Sequence, residues 1–137
     1  MNKLQLLTIM IMLLSWIGCG GTNIQQDAPK VISPVEANKI LGNDTNYVFI
    51  DVRTEAEYKS ETGHLKGAVF IPIQELESRL QDLEPYRAKT IIAYCRSGGR
   101  SGRAEKLLTE HGFRALNLTG GITQWNKDNL PVVKEPK

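Results

Sequence analysis

The residues best suited to chemistry in this 137-residue chain are Cys95 and the glycine- and arginine-containing stretch that follows it. Gly98 and Gly99 allow a tight turn, and Arg96 and Arg100 place positive charge close to the thiol. Backbone N–H groups in such a turn, together with a helix N-terminus, can lower a cysteine pKa from ~8.5 to roughly 3.5–7.5. A cysteine at the end of a strand is most often a small hydrophobic residue. The combination with glycines and arginines within six residues favours a nucleophile instead.

Two predicted elements position Cys95. Thr90–Tyr94 is apolar and partly β-branched, as expected of a strand buried on both faces. From Arg100 onward, apolar residues recur at helical spacing until Gly112 ends the pattern. Cys95 is therefore expected at the carboxyl end of a central strand, in the turn that opens a helix. Open parallel sheets bind their ligands at that edge, and the dipoles of the turn favour an anionic substrate.

Three segments resemble the signatures of a known family. They are the Cys95 loop; Asp51-Val52-Arg53 with Glu55, Glu57, Tyr58 and the stretch Gly63-His64-Leu65-Lys66-Gly67-Ala68; and Gly120-Gly121-Ile122-Thr123-Gln124-Trp125 with Leu130-Pro131. In this order they resemble the rhodanese family of sulfurtransferases, over about Val31 to Val133. The resemblance implies that Cys95 forms a persulfide, taking sulfane sulfur from thiosulfate or a polysulfide and passing it to a thiol or cyanide.

The alternation of strand and helix patterns predicts an α/β fold with a five-stranded parallel sheet and helices on both faces. The resemblance implies the same rhodanese-like architecture. The predicted strands are Val31-Ile32, Tyr47–Val52, Ala68–Ile71, Thr90–Tyr94 and Ala115–Leu118. Ser33 to Glu36 and Thr54 to Glu57 are capping boxes that begin two helices. The inner face of the first helix is expected to contain Val35, Ile40 and Leu41.

Several residues around the loop are expected to support it. His64 is interpreted as fixing its turn by hydrogen bonds rather than as a catalytic base. Asp51 and Arg53 are expected to pair and support the Cys95 loop, and the indole of Trp125 to pack on the sheet. For Ser101 two roles stay open, donation to the sulfur or capping of the turn.

The expected substrate-binding residues follow Cys95 directly: Arg96, Ser97, Gly98, Gly99, Arg100 and Ser101. Arg96 and Arg100 would orient the oxygens of a small anionic sulfur donor, and Arg100 is favoured of the two because Arg96 directly follows the cysteine and is expected to point to solvent. The chain has no CxxC or Cys/His grouping with metal-ligand spacing, so neither a metal nor an organic cofactor is expected. The alternatives are a persulfide carrier or redox adaptor without turnover, and a cysteine-loop phosphatase or arsenate reductase. The phosphatase family places five residues between cysteine and arginine, whereas four separate Cys95 from Arg100.

The first residues resemble a bacterial lipoprotein signal peptide. Lys3 precedes the uncharged, mostly apolar stretch Leu4 to Ile17, which is shorter than the ~20 residues of a membrane-spanning helix. Ile17-Gly18-Cys19 resembles the lipobox, although Trp16 occupies a position that usually holds leucine. We therefore expect a signal peptide over residues 1–18, a lipid on Cys19, a tether over 19–30 and a rhodanese-like domain over 31–137. An ordinary cleaved signal or an uncleaved anchor is the alternative.

The composition of the chain argues against a nucleic-acid partner. The formal net charge is only +2, and 23% of residues are charged, so nothing indicates nucleic-acid binding. The length fits one domain, expected to act as a monomer. With lipid on Cys19, the protein is expected to be exported and anchored to a bacterial membrane, its domain in the periplasm or outside the cell.

Overall fold

The computed structural model of the chain describes residues 30–136. The signal peptide, Cys19 and nearly all of the tether therefore lie outside the described residues. The strands are β1 (Val31–Ile32), β2 (Tyr47–Asp51), β3 (Val69–Phe70), β4 (Thr90–Tyr94) and β5 (Arg114–Leu118). The α-helices are α1 (Pro34–Ile40), α2 (Glu55–Tyr58), α3 (Ile73–Leu76), α4 (Gly99–Glu110) and α5 (Gly121–Lys127). A 3₁₀ segment, Glu77–Tyr86, follows α3.

The five strands form one parallel sheet in the order β1-β5-β4-β2-β3. β4 is central, with Ala93 aligned to Asn117 of β5 on one side and to Ile50 of β2 on the other. The predicted α/β fold with a five-stranded parallel sheet is confirmed. Because all strands run in one direction, the residues that follow β2, β4 and β5 meet at a single edge.

Helices cover both faces of the sheet. Alternate residues of β4 enter two different cores, as the period of two requires. Ile91 and Ala93 belong to one core, together with Cys95 just after the strand, and Ile92 and Tyr94 belong to the other. The first core is closed by α3, the 3₁₀ segment and α4. The second is closed by α1 and α5, where the indole of Trp125 is fully buried as expected.

Local sequence signals placed most element boundaries correctly, and both predicted capping boxes are formed. The inner face of α1 is an exception. Val35 is 51% exposed, whereas Pro34 and Ala37 are buried. Val35 and Ala37 are two positions apart, so they cannot share a helix face, and the prediction for Val35 is wrong. β3 is also shorter than predicted, because only Val69 and Phe70 pair with β2.

Candidate active site around Cys95

Cys95 lies in the turn between β4 and α4. β4 ends at Tyr94 and α4 begins at Gly99, so only four residues separate the strand from the helix. Gly98 has φ +107°, a backbone conformation that side chains disfavour, and this lets the chain reverse into the helix. No side chain caps the N-terminus of α4, which leaves its backbone N–H groups directed toward the sulfur.

The sulfur of Cys95 is buried and surrounded by hydrogen-bond donors. The Gly98 N–H lies 3.1 Å and the Ser101 hydroxyl 3.3 Å from Cys95 Sγ, and the residue is 1% exposed. Burial alone would raise the pKa of the thiol. The hydroxyl of Ser101 and the amides of Ser101, Gly98 and Ser97 outweigh it and lower the Cys95 pKa below its usual value. Of the two roles left open for Ser101, the structure favours donation to the sulfur.

Asn117 on β5 contributes to the site, and sequence reasoning missed it. Its Nδ2 donates to the Gly98 carbonyl at 3.1 Å, and its Oδ1 lies 2.6 Å from the Ser101 hydroxyl. No local pattern distinguishes Asn117 from other strand residues. The signal available was the position of β5 beside β4 in the sheet, which places the two strand ends next to each other.

Arg100 is held by an ion pair that links α4 to α2. Its two terminal nitrogens donate to the carboxylate oxygens of Glu57 at 2.6 and 2.7 Å. Glu57 also closes the capping box with Thr54. The hydrogen bonds from Arg100 are the main cause that lowers the Glu57 pKa to about 2, with bonds from Thr54 adding to them. Much of the positive charge of Arg100 is therefore already neutralised.

Arg96 has a different environment, being exposed at the edge of a cavity of about 300 Å³. Other lining residues include Glu57, Ser60, Thr62 and Ile122. Within residues 30–136 the Arg96 guanidinium makes no hydrogen bond or ion pair, so its charge is free for a ligand. The cavity thus combines one unpaired cation with side-chain hydroxyls beside the Cys95 loop.

The N-terminal turn of α5 holds the Cys95 loop by backbone hydrogen bonds. The Ile122 N–H donates to the Cys95 carbonyl at 2.9 Å, and the Thr123 N–H to the Arg96 carbonyl at 3.0 Å. Gly121 has φ +55°, and a Cβ there would lie 2.6 Å from the Arg96 carbonyl oxygen and closer still to that of Cys95. The close approach of α5 therefore requires glycine at position 121.

Asp51 and Arg53 form the expected ion pair, fully buried, with Arg53 Nη2 2.6 Å from Asp51 Oδ2. The other hydrogen bonds of Arg53 go to the Thr62 hydroxyl and the Gly63 carbonyl, at 2.9 and 2.8 Å. The pair thus holds the turn before His64. The expected direct support of the Cys95 loop is not observed.

His64 fixes its turn by its backbone rather than by its side chain. Its N–H and C=O both pair with Val133, at 2.9 and 2.8 Å. The ring stacks on Tyr58 with centroids 4.1 Å apart, and its Nδ1 has no hydrogen-bond partner. The hydrogen bonds that hold this turn are therefore those of the His64 backbone, while the ring contributes stacking on Tyr58.

Within residues 30–136, no cluster of three or more His, Cys, Asp or Glu side chains is arranged to hold a metal ion. No helix in the same range is both long and apolar enough to cross a membrane.

Comparison with known proteins identifies the family. The model of the rhodanese-like domain matches residues 33–128. The chain belongs to the rhodanese-like family. It is 35% identical to the thiosulfate sulfurtransferase PspE of Escherichia coli, over 54% of this chain and 69% of that protein. It is 33% identical to a sulfurtransferase of Allochromatium vinosum, over 68% of this chain and 84% of that one.

A solved structure has the same fold. A rhodanese-related protein from Thermoplasma volcanium superimposes with a TM-score of 0.70 at 29% identity, covering 77% of this chain and 99% of that one. The rhodanese-like fold and the relationship to sulfurtransferases expected from the sequence are therefore confirmed. The roles of individual residues in this rhodanese-like domain stay predictions.

Proposed function

We propose that this protein is a sulfurtransferase that carries sulfane sulfur as a persulfide on Cys95. The observation that supports it most is the environment of the sulfur, in which the Gly98 amide and the Ser101 hydroxyl donate to Cys95 Sγ. These donors lower the Cys95 pKa despite burial, so that the thiolate, the form of cysteine that acts as a nucleophile, is favoured. The named sulfurtransferases among its relatives support the same reaction class.

The reaction has two steps. The Cys95 thiolate attacks the outer sulfur of thiosulfate; a new S–S bond forms, the S–S bond of the donor breaks, and sulfite leaves with its electron pair. A thiolate or cyanide then attacks the outer sulfur of the persulfide. The S–S bond to Cys95 breaks, and its electron pair restores the thiolate. Sulfite is a good leaving group, so the first step needs no acid. A polysulfide donor would react in the same way and release a shorter sulfide.

Arg96 is the stronger candidate for holding the donor. The guanidinium of Arg96 is unpaired within the described part of the chain and borders the cavity, whereas Glu57 occupies both terminal nitrogens of Arg100. A planar guanidinium fork suits a sulfonate or similar oxyanion. Arg100 acts mainly by joining α2 to the first turn of α4, and its charge favours the thiolate. Ser97, Gly98, Gly99 and Ser101 complete the proposed binding loop.

The size of the loop argues against phosphate chemistry. Four residues separate Cys95 from Arg100, one fewer than in cysteine phosphatases. We expect the amides of this shorter loop to enclose too little space for a phosphoryl group on Cys95 but enough for one additional sulfur, and the Gly98 N–H lies 3.1 Å from Sγ.

The test is exposure of the purified protein to thiosulfate, followed by mass spectrometry. A mass gain of one sulfur on Cys95, absent in Cys95→Ser and reversed by cyanide with release of thiocyanate, is expected. A wild-type protein that gains no sulfur from thiosulfate or from polysulfide would overturn the proposal. If the persulfide forms but cyanide and low-molecular-weight thiols do not discharge it repeatedly, the protein is a carrier rather than an enzyme.

We also propose that the protein is exported and lipid-anchored through Cys19. The support is the sequence of residues 1–19, with its apolar stretch Leu4 to Ile17 and its Ile17-Gly18-Cys19 junction. This arrangement leaves Cys95 as the only thiol for chemistry once Cys19 carries lipid.

A further inference from the structure

The hydroxyl of Ser101 has one proton and two acceptors within reach. Ser101 Oγ lies 2.6 Å from Asn117 Oδ1 and 3.3 Å from Cys95 Sγ. A hydroxyl donates a single hydrogen bond, so it cannot serve both acceptors at once. Ser101 is fully buried and Cys95 is 1% exposed, which means that water does not freely replace either partner.

The orientation of the Asn117 amide follows from its other contact. Its nitrogen end lies 3.1 Å from the Gly98 carbonyl, which can only accept a hydrogen bond. The Nδ2 group must therefore face Gly98, and Oδ1 must face Ser101, where it can only accept. Asn117 is thus a genuine competitor of the sulfur for the Ser101 proton.

We propose that Asn117 is a positioning residue that competes with the Cys95 sulfur for the Ser101 hydroxyl proton and thereby sets how readily Cys95 ionises. When Cys95 is a thiolate, the negative charge on Sγ attracts the hydroxyl. When a persulfide forms, the charge moves to the outer sulfur, and the hydroxyl turns to Asn117 Oδ1. The change of partner on persulfide formation rests on the proposed function, whereas the competition for the hydroxyl proton does not.

Arg100 and Glu57, the ion pair beside Cys95, keep their charges between about pH 5 and 9. The pKa of Arg100 is raised, chiefly by its hydrogen bonds to Glu57, and the same bonds lower the Glu57 pKa to about 2. The nearby carboxylate of Asp51 is engaged by Arg53. The titration of Cys95 therefore reports on its own donors, the Ser101 hydroxyl and the amides of Ser101, Gly98 and Ser97.

The experiment measures the rate of Cys95 alkylation by iodoacetamide against pH, which needs no sulfur transfer. Asn117→Leu removes the competing acceptor, so the hydroxyl donates to Sγ alone and the Cys95 pKa should fall by about half a unit, a roughly threefold change in the ionisation constant. Ser101→Ala should raise this pKa. In the Ser101→Ala background, Asn117→Leu should have no effect. Asn38→Leu, on α1 away from the loop, is the matched control and should titrate as wild type.

A second variant separates competition from simple damage to the loop. Asn117→Asp keeps an acceptor facing Ser101 and strengthens it with a charge, so the Cys95 pKa should rise. Both variants lose the bond to the Gly98 carbonyl, and general loosening would therefore shift both in one direction. The proposal is supported by opposite shifts that are both larger with the Ser101 hydroxyl than in the Ser101→Ala background, because direct repulsion by the new carboxylate would raise the Cys95 pKa with or without that hydroxyl. An unchanged or raised Cys95 pKa in Asn117→Leu overturns the proposal, and so does an equal pKa shift by Asn117→Leu in the Ser101→Ala background. If Asn117→Leu does not fold, a Cys95 pKa that is not raised in Asn117→Asp overturns it. Failure of wild-type persulfide formation would instead overturn the proposed function.

Discussion

Arg100 and Glu57 form a two-point ion pair that joins the first turn of α4 to α2, with N···O distances of 2.6 and 2.7 Å. The two residues are 43 positions apart in sequence. This pair occupies the terminal nitrogens of Arg100. Arg100 is therefore less able than Arg96 to contact a bound ligand. Arg96 borders the neighbouring cavity without a partner among residues 30–136.

This difference predicts unequal effects on donor binding. Arg96→Ala should raise KM for thiosulfate by roughly three- to tenfold with little change in kcat, as expected for one partly exposed charge contact. Arg103→Ala removes an exposed charge of the same sign from α4 and serves as the control. Steady-state kinetics at several salt concentrations measure the effect, and the Arg96 contribution should shrink as salt screens it. Equal KM values for wild type and Arg96→Ala would contradict this assignment.

The ion pair also predicts a pH dependence of stability. Glu57 has a pKa lowered from 4.5 to about 2 in the folded protein, so its contribution is present above pH 4.5 and is lost as the pH falls from 4.5 toward 2. Glu57→Gln should reduce the free energy of unfolding at pH 7 and make the decline over that acid range shallower. Denaturant unfolding at a series of pH values measures both effects. Glu110→Gln, an exposed carboxyl on α4 without an ion pair in residues 30–136, should leave the wild-type slope; a slope unchanged by Glu57→Gln would exclude this role.

Gly121 should tolerate no side chain. Gly121→Ala would press a Cβ against the Cys95 and Arg96 carbonyls at a positive φ, and should cost about 3–5 kcal/mol of unfolding free energy through strain and overpacking. Gly67→Ala has a similar φ of +72° but open space around the Cβ, so about 1–2 kcal/mol is expected. Thermal or denaturant unfolding of the two variants compares them. Similar losses would mean that φ alone, rather than close approach of α5, requires glycine at position 121.

The loop length predicts poor hydrolysis of aryl phosphates. The wild type should show negligible phosphatase turnover, because a loop one residue shorter than that of the phosphatases is expected to draw its amides too far inward for a bound phosphoryl group. Inserting one glycine between Gly98 and Gly99 should weaken sulfur transfer from thiosulfate by widening the ring of donors. Assays with an aryl phosphate and with thiosulfate on both proteins test this. Robust phosphatase activity of the wild type without persulfide formation would refute it.

Lipidation of Cys19 predicts partition into detergent. Expressed in a bacterium, the wild type should enter the detergent phase and lack residues 1–18, whereas Cys19→Ala should remain in the aqueous phase or keep its signal. Cys95→Ala, which changes the other cysteine, should partition as wild type does. Phase separation followed by mass spectrometry measures both properties. Recovery of full-length, unlipidated wild type from membranes would contradict the prediction.

The sequence by itself determined the elements and the position of the nucleophile. The apolar run Thr90–Tyr94, the glycines after Cys95 and the capping boxes at Ser33 and Thr54 are local patterns, and local patterns report local backbone structure. Their order was sufficient for the parallel sheet and for placing Cys95 at its carboxyl edge. The burial of individual side chains could not be predicted as well. Val35 was expected to face the core but is exposed, because hydrophobicity alone does not say which helix face meets the sheet.

Tertiary structure decided which side chains reach the sulfur and which arginine is free. Asn117 contacts the loop because β5 lies beside β4, and Glu57 reaches Arg100 because α2 packs near the start of α4. Both contacts join residues separated by at least one whole element, with distances set by the packing of the sheet and helices. No spacing within the sequence encodes such a distance. The chemistry of Cys95 could therefore be predicted from its neighbours in the chain, whereas the groups that tune it became visible only in the folded domain.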